Sequence, residues 1–284
     1  MIDILKRKVN YFRSHLILKR KVSMFFNLNS NSFNKKKKSV LSSTKELNTL
    51  GYAEGPKCSP DVLKEINEIY LDRIKDVKPK TKGAPFINLI KDSDVDVNNP
   101  VIKLAFSKEI LDPALDYFGY KLKFDSIQVL YSYTTNGEKR ESQFWHKDYG
   151  DSKSFHCVMY LNDIENIEGG PFVFVDKTES YKIKPSVFIR RIGDDDFKKE
   201  LGNGEIKYFF AKAGESVFID PAACYHYGSR CKESRLAIFF TFNTSTPYLK
   251  FPSITSNNKE KFLEIGKHLR PDLSLKTLKN ILDI

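Results

Sequence analysis

The spacing of apolar positions along the 284-residue chain changes near residue 120. Before that point apolar residues recur three and four apart, the repeat that places them on one face of a helix. Val62, Ile66, Ile69 and Ile74 form such a stripe. Ser59-Pro60-Asp61 ahead of it offers a capping hydroxyl and a proline at the first helical position, so a helix is predicted from there to about residue 76. Asn99-Pro100 opens a second helix through Ile102, Leu104, Ala105 and Ile110. Pro113 is expected to interrupt it, since proline removes an N–H and crowds the preceding turn, and Gly119 to close it. Beyond residue 120, segments 122–134, 155–161, 171–175, 186–192, 206–211, 216–220 and 235–243 are short and rich in β-branched and aromatic residues. Asn136-Gly137, Gly169-Gly170, Gly202-Asn203-Gly204 and Gly214 punctuate them as turns. Short strands at this spacing predict a mainly β sandwich or jelly roll. Residues 258–284 look helical again, divided by Pro271.

The first 27 residues carry their own stripe, with Ile2, Leu5, Val9, Phe12 and Leu16 against a basic remainder. Two roles are open to such a helix. It can pack on its own domain, or make peripheral contact with an anionic membrane or a partner. Residues 28–45 read as a polar linker. The expected organisation is a basic N-terminal helix and linker over 1–45, a main domain over 46–255 and a C-terminal helical segment over 256–284. Charge sharpens this division. The net charge is +11, and residues 1–45 hold twelve of the 47 basic residues with one acid, Asp3. The remainder is balanced, so the excess predicts no nucleic-acid face on the folded part. Four cysteines, no secretory apolar core and no run near the roughly 18 residues of a membrane span predict a cytoplasmic chain.

Candidate chemistry centres on Trp145-His146-Lys147-Asp148. His-x-Asp is a weak signal alone, but residues two apart project to the same side of an extended chain and can share a metal. His226, which follows the predicted strand 216–220 and its Asp220-Pro221 turn, supplies a third donor from elsewhere in the fold. Two imidazoles and one carboxylate form the facial triad of non-haem Fe(II), leaving adjacent positions for a bidentate cosubstrate and O₂. Arg235 lies nine residues beyond His226. Alone it reads as an ordinary ion-pair residue; behind the third ligand it is the expected guanidinium anchor for 2-oxoglutarate. Blander readings stand beside these. The triad could be structural polar residues, and His156 reads as a structural strand residue. Tyr131, Tyr133 and Tyr149 read as strand aromatics or pocket lining, and Trp145 as packing that orients His146. Cys224, His226 and Cys231 offer zinc only three ligands and no paired Cys-x-x-Cys.

The stretch from about 122 to 243 resembles the phytanoyl-CoA dioxygenase-like family of Fe(II)/2-oxoglutarate-dependent oxygenases. The matching pieces are SQFWHKD, VMYLNDIENIEGGPFVFV and GESVFIDPAACYHYGSRCKESRLAIFF. The resemblance implies a double-stranded β-helix (jelly roll) core with flanking α-helices. It implies metal ligands at His146, Asp148 and His226, a 2-oxoglutarate anchor at Arg235, and a cosubstrate contact on the preceding strand, for which Gln128 is the candidate. One loop departs from the pattern: Asp176-Lys177-Thr178-Glu179-Ser180 stands where relatives often carry a Pro-Gly-Ser-His-like turn near the substrate mouth. Related halogenases replace the metal-binding acid with a small residue, so Asp148 favours hydroxylation. The expected activity is hydroxylation of a small-molecule or lipid- or glycan-linked substrate, with release of succinate and CO₂. The alternative is a non-catalytic jelly-roll binding protein recruited by its basic N-terminal helix. Neither substrate nor oligomeric state is legible.

Overall fold

The computed structural model describes residues 41–135, 137–183 and 191–284. The helix expected over 1–27, nearly all of the linker, and the strand expected over 186–192, apart from Arg191 and Ile192, lie outside the described residues. The other expected strands form as β3 (Leu122–Ser132), β4 (Ser154–Tyr160), β5 (Phe172–Phe174), β6 (Lys207–Phe209), β7 (Ser216–Ile219) and β9 (Arg235–Thr244). Three short strands join them: β1 (Tyr52–Glu54), β2 (Phe86–Asn88) and β8 (His226–Tyr227). All pair antiparallel, in a six-stranded sheet ordered β1-β7-β4-β9-β3-β2 and a three-stranded sheet ordered β6-β5-β8.

Alternation along each strand decides which residues meet. On β4 and β9, Phe155, Cys157, Met159, Ile238, Phe240 and Phe242 turn outward into the main core against the helices. Val158, Tyr160 and Ala237 turn inward and pack on Phe172 and Phe174 of the small sheet. The molecule is therefore a double-stranded β-helix with flanking helices, and its inner space lies between the two sheets.

The helices are α1 (Ser42–Leu50), α2 (Pro60–Ile74), α3 (Pro100–Phe106), α4 (Lys108–Tyr117), α5 (Lys177–Lys182), α6 (Asp194–Leu201), α7 (Ile254–Asn257), α8 (Lys259–Leu269) and α9 (Leu275–Leu282). The expected caps form: Ser59 accepts from the Val62 amide and Asn99 from those of Val101 and Ile102. The expected break at Pro113 does not. Pro113 lies buried inside α4, and the chain breaks instead at Ser107, whose extended backbone (φ −61°, ψ 154°) separates α3 from α4. The Ser107 amide closes α3 on Leu104, and its carbonyl accepts from Ile110 and Leu111 to start α4. α1 begins within the stretch read as linker and is tied to α4 through Thr44 and Asp116. The divergent loop at 176–180 is also helical. Asp176 caps α5, and the buried Ser180 hydroxyl accepts from the Tyr225 amide, bracing the residue before His226. Among the described residues no helix is long and apolar enough to cross a membrane.

One buried acid joins these layers. Asp220 accepts from the Tyr117 hydroxyl at 2.8 Å, the Ser154 amide at 3.1 Å, and the Ala222 and Ala223 amides at 3.0 and 3.2 Å. It thus links α4, the start of β4 and the turn that delivers His226. Removing it leaves several donors unpaired in the interior. Asp220→Ala is expected to lower the unfolding free energy by about 2–4 kcal/mol in denaturant titrations, with Asp220→Asn intermediate.

Candidate metal centre

His146 and His226 face each other across two antiparallel segments. The His146 amide donates to the His226 carbonyl at 3.0 Å and the His226 amide to the His146 carbonyl at 2.9 Å. A reciprocally bonded antiparallel pair places its two side chains on the same face about 5.5 Å apart at Cα. Asp148, two residues on, is held by its own amide to the Pro221 carbonyl at 2.8 Å and projects to the same side. Trp145 points the other way. Its ring stacks on Phe197 at 3.8 Å and meets Tyr227 edge-on at 4.6 Å, which locks the segment's rotation.

Side-chain hydrogen bonds then set which ring nitrogen faces inward. His146 Nδ1 lies 2.7 Å from the Phe144 carbonyl, and His226 Nδ1 lies 3.1 Å from the Cys224 carbonyl. A carbonyl can only accept, so each Nδ1 carries the proton and each Nε2 keeps its lone pair. Both Nε2 atoms stand 3.8 Å from Asp148 Oδ1. The three donor atoms lie within 4.8 Å of one another. Donors bound about 2.1 Å from one ion at right angles are about 3 Å apart, so the three side chains would draw together on binding. Two neutral imidazoles and a carboxylate suit Fe(II). Cys224 and Cys231 do not join the group: Cys224 Sγ packs on Gly51, and Cys231 Sγ lies against Gly170.

Arg235 is a buried cation rather than a surface ion-pair residue, only 2% exposed. Nη1 donates to the Gly170 carbonyl at 2.7 Å, and Nη2 to the hydroxyls of Ser229 at 3.0 Å and Ser132 at 3.4 Å. Its buried Nε has no hydrogen-bond partner, and among the described residues no carboxylate pairs with it. A guanidinium so desolvated calls for an anion. Glycines let the backbone pack close around it. A Cβ on Gly228, two residues after His226, would stand 3.6 Å from Nη2. Gly170 adopts φ +67°, and a Cβ there would meet the Cys231 backbone amide at 2.9 Å, so only glycine brings this carbonyl to Arg235. The donor set and the unpaired guanidinium together fit Fe(II) with a dicarboxylate such as 2-oxoglutarate.

A cavity of about 770 Å³ opens onto Asp148. Gln128 lines it, as does Tyr149, whereas the Tyr133 hydroxyl turns away to accept from the Lys80 amide. His156, read as structural, also faces this space: its Nε2 lies 3.9 Å from Asp148 Oδ2. Its neighbours on β4, Phe155 and Cys157, supply the outer core, so alternation turns His156 inward.

No family model matches the sequence, and no curated protein sequence matches it. The structure is similar to the non-haem α-ketoglutarate-dependent epimerase SnoN from nogalamycin biosynthesis, with a TM-score of 0.52 and 16% identity over 72% of this chain and 80% of that one. It is similar to the carbocyclase SnoK from the same biosynthesis, with a TM-score of 0.53 and 14% identity over 72% and 85%. EctD from S. alaskensis with bound Fe gives a TM-score of 0.55 and 14% identity over 76% and 83%. At these identities the likeness is one of fold.

Burial, then the neighbouring His226, pull His146 down to about 3 against the opposing pull of Asp148. Burial pulls His156 down to about 4, again against Asp148. Unfolded histidines titrate near 6.5. As pH falls through that value the unfolded chain takes up protons that the folded one refuses, so stability drops. His156 alone accounts for a loss of roughly 2 kcal/mol by pH 5. Lys147 and Lys153, brought down to about 8 by burial, are charged in both states across this window. In metal-free protein, His156→Gln is expected to flatten the fall of Tm between pH 7 and pH 5. An unchanged slope would contradict a neutral, buried His156.

Proposed function

We propose that this chain is an Fe(II)- and 2-oxoglutarate-dependent oxygenase that hydroxylates a small molecule. The observation that carries the reading is the convergence of two Nε2 lone pairs and one carboxylate oxygen near a buried guanidinium that lacks an anionic partner. His146, His226 and Asp148 Oδ1 would hold the iron, and Arg235 the distal carboxylate of 2-oxoglutarate. The order of Trp145-His146-x-Asp148, the Gly169-Gly170-Pro171 turn into β5, His226 and Arg235 supports a place in the phytanoyl-CoA dioxygenase-like branch.

Bound iron(II), with 2-oxoglutarate and O₂, supplies the oxidant for an unactivated C–H bond, while 2-oxoglutarate leaves as succinate and CO₂. The protein's residues bind and orient. The Phe144 and Cys224 carbonyls hold both imidazoles in one tautomer, so no proton must be displaced before they ligate. Asp148 Oδ1 lies 3.8 Å from both ligating nitrogens and would be the carboxylate oxygen offered to the iron, while Oδ2 lies toward His156 at 3.9 Å. The Ser132 and Ser229 hydroxyls, already on Arg235, would share the incoming carboxylate. Phe172, whose ring centre is 5.3 Å from that of His226, screens the centre from water. Gln128 lines the cavity and would contact a molecule bound there. An epimerase and a carbocyclase stand among proteins of similar fold. Asp148 would occupy the position a halide needs, which favours hydroxylation over halogenation.

Fe(II)-loaded protein is expected to release succinate from 2-oxoglutarate in an O₂-dependent reaction. His146→Ala or Asp148→Ala should abolish it. Arg235→Gln should raise the 2-oxoglutarate KM about 100-fold, the effect of roughly 2.7 kcal/mol from losing a buried charge pair. An iron-free, inert protein would support the binding-protein alternative instead.

A further inference from the structure

The inner face of the large sheet changes character along its length. At one end Val158, Ala237, Val217 and Ile219 make the apolar contact with the small sheet. At the other, three adjacent strands present hydrogen-bonding groups to the cavity: Ser126 and Gln128 from β3, Thr241 and Asn243 from β9, and His156 from β4. The registers align them, with Ser126 and His156 both opposite Thr241. Polar side chains inside a sandwich cost free energy unless they find partners. A built polar floor beside a metal centre therefore implies a polar ligand.

A β-bulge creates this floor. The pairing of β3 with β9 slips between Phe124 and Ser126, leaving Asp125 as the extra residue. Unbroken alternation from Phe124 would turn Ser126 and Gln128 into the helix-side core. The slip reverses their parity: Phe124, Ile127 and Val129 enter that core, while Ser126 and Gln128 line the cavity. Asp125 lines it as well, and the Ser253 hydroxyl pins the bulge by donating to the Asp125 carbonyl at 2.5 Å.

Charge narrows the ligand further. Among the described residues, the cavity's fixed charges are Asp92, Asp125, Asp148 and Asp151 against Lys91. Asp151 is committed to the Thr244 amide and hydroxyl, both at 2.7 Å, and Asp92 accepts from the Asn258 side chain at 2.6 Å. Asp148 belongs to the metal centre. Asp125 is the remaining cavity carboxylate: it accepts from the Asn243 side chain, Lys123 acts on it from outside the lining, and burial holds it above the usual carboxylate range, so a cation from a ligand would find an incompletely neutralised acid there.

We propose that the substrate is a compact polyhydroxylated molecule bearing an ammonium group, with the ammonium on Asp125 and its hydroxyls on the floor of Ser126, Gln128, Thr241 and Asn243. A polyanionic acyl-CoA thioester would meet like charge there and an apolar acyl chain would bury those polar groups unpaired. This substrate class rests on the oxygenase reading, and the test separates the two. Full-length protein is loaded with redox-inert Ni(II) and titrated calorimetrically, first with 2-oxoglutarate. Absence of 2-oxoglutarate binding would overturn the oxygenase reading itself. With 2-oxoglutarate bound, the protein is titrated with glucosamine, N-acetylglucosamine, glucose 6-phosphate and hexanoyl-CoA. Glucosamine is expected to bind at least tenfold more tightly than the other three, and Asp125→Asn to remove that advantage. Equal or tighter binding of the phosphate or the thioester, no binding of glucosamine, or an advantage unchanged in Asp125→Asn would overturn the proposal. The ranking on the unmodified protein stands as a test even if the variant does not fold.

Discussion

The pair of backbone hydrogen bonds between His146 and His226 is the constraint on which the site depends. It joins residues 80 positions apart in sequence and fixes both imidazoles on one face without help from a metal. Asp148 inherits its direction from the same extended segment, and Trp145 holds the opposite face against Phe197. Because each Nδ1 is spent on a carbonyl, the electron pairs that remain converge. Preorganisation of this kind means that little conformational freedom is lost when the site is filled.

The surrounding fold tolerates an interior that is partly polar because nearly every member has a partner. Asp220 gathers a tyrosine hydroxyl and three amides, and Asp151 ties its loop to the end of β9. Arg235 is an exception among the described residues, a fully buried guanidinium held by neutral groups with Nε unmet. An unpaired buried charge is costly, so its retention beside the histidine pair is hard to explain by stability. It is the strongest sign that the interior is built to receive an anion.

Much of this was legible in the sequence where period and spacing carry the information. Runs of β-branched and aromatic residues between turn signals placed the long strands, and His-x-Asp on an extended run with a later histidine placed the triad. What escaped depends on register. His156 was readable as a strand residue, but its position opposite Thr241 follows only once β4 and β9 are paired. Asp125 and the reversed parity of Gln128 follow from a bulge that no local pattern announces. β1 and β2, at three residues each, are too short to show a period. The break at Ser107 did carry a signal, a cap-type residue before Lys108-Glu109, which the more conspicuous Pro113 obscured. Burial of Arg235 could not be foreseen, since ion-pair and anchor residues look alike in sequence.

His146, Asp148 and His226 are proposed to form one iron centre with positions open to 2-oxoglutarate. Anaerobic titration of the Fe(II)-loaded protein with 2-oxoglutarate, followed by visible absorption, tests it directly. A metal-to-ligand charge-transfer band is expected that saturates at one cosubstrate per chain and is lost in Asp148→Ala. Absence of the band at saturating 2-oxoglutarate, or its persistence in that variant, would rule out an iron centre built on these three residues.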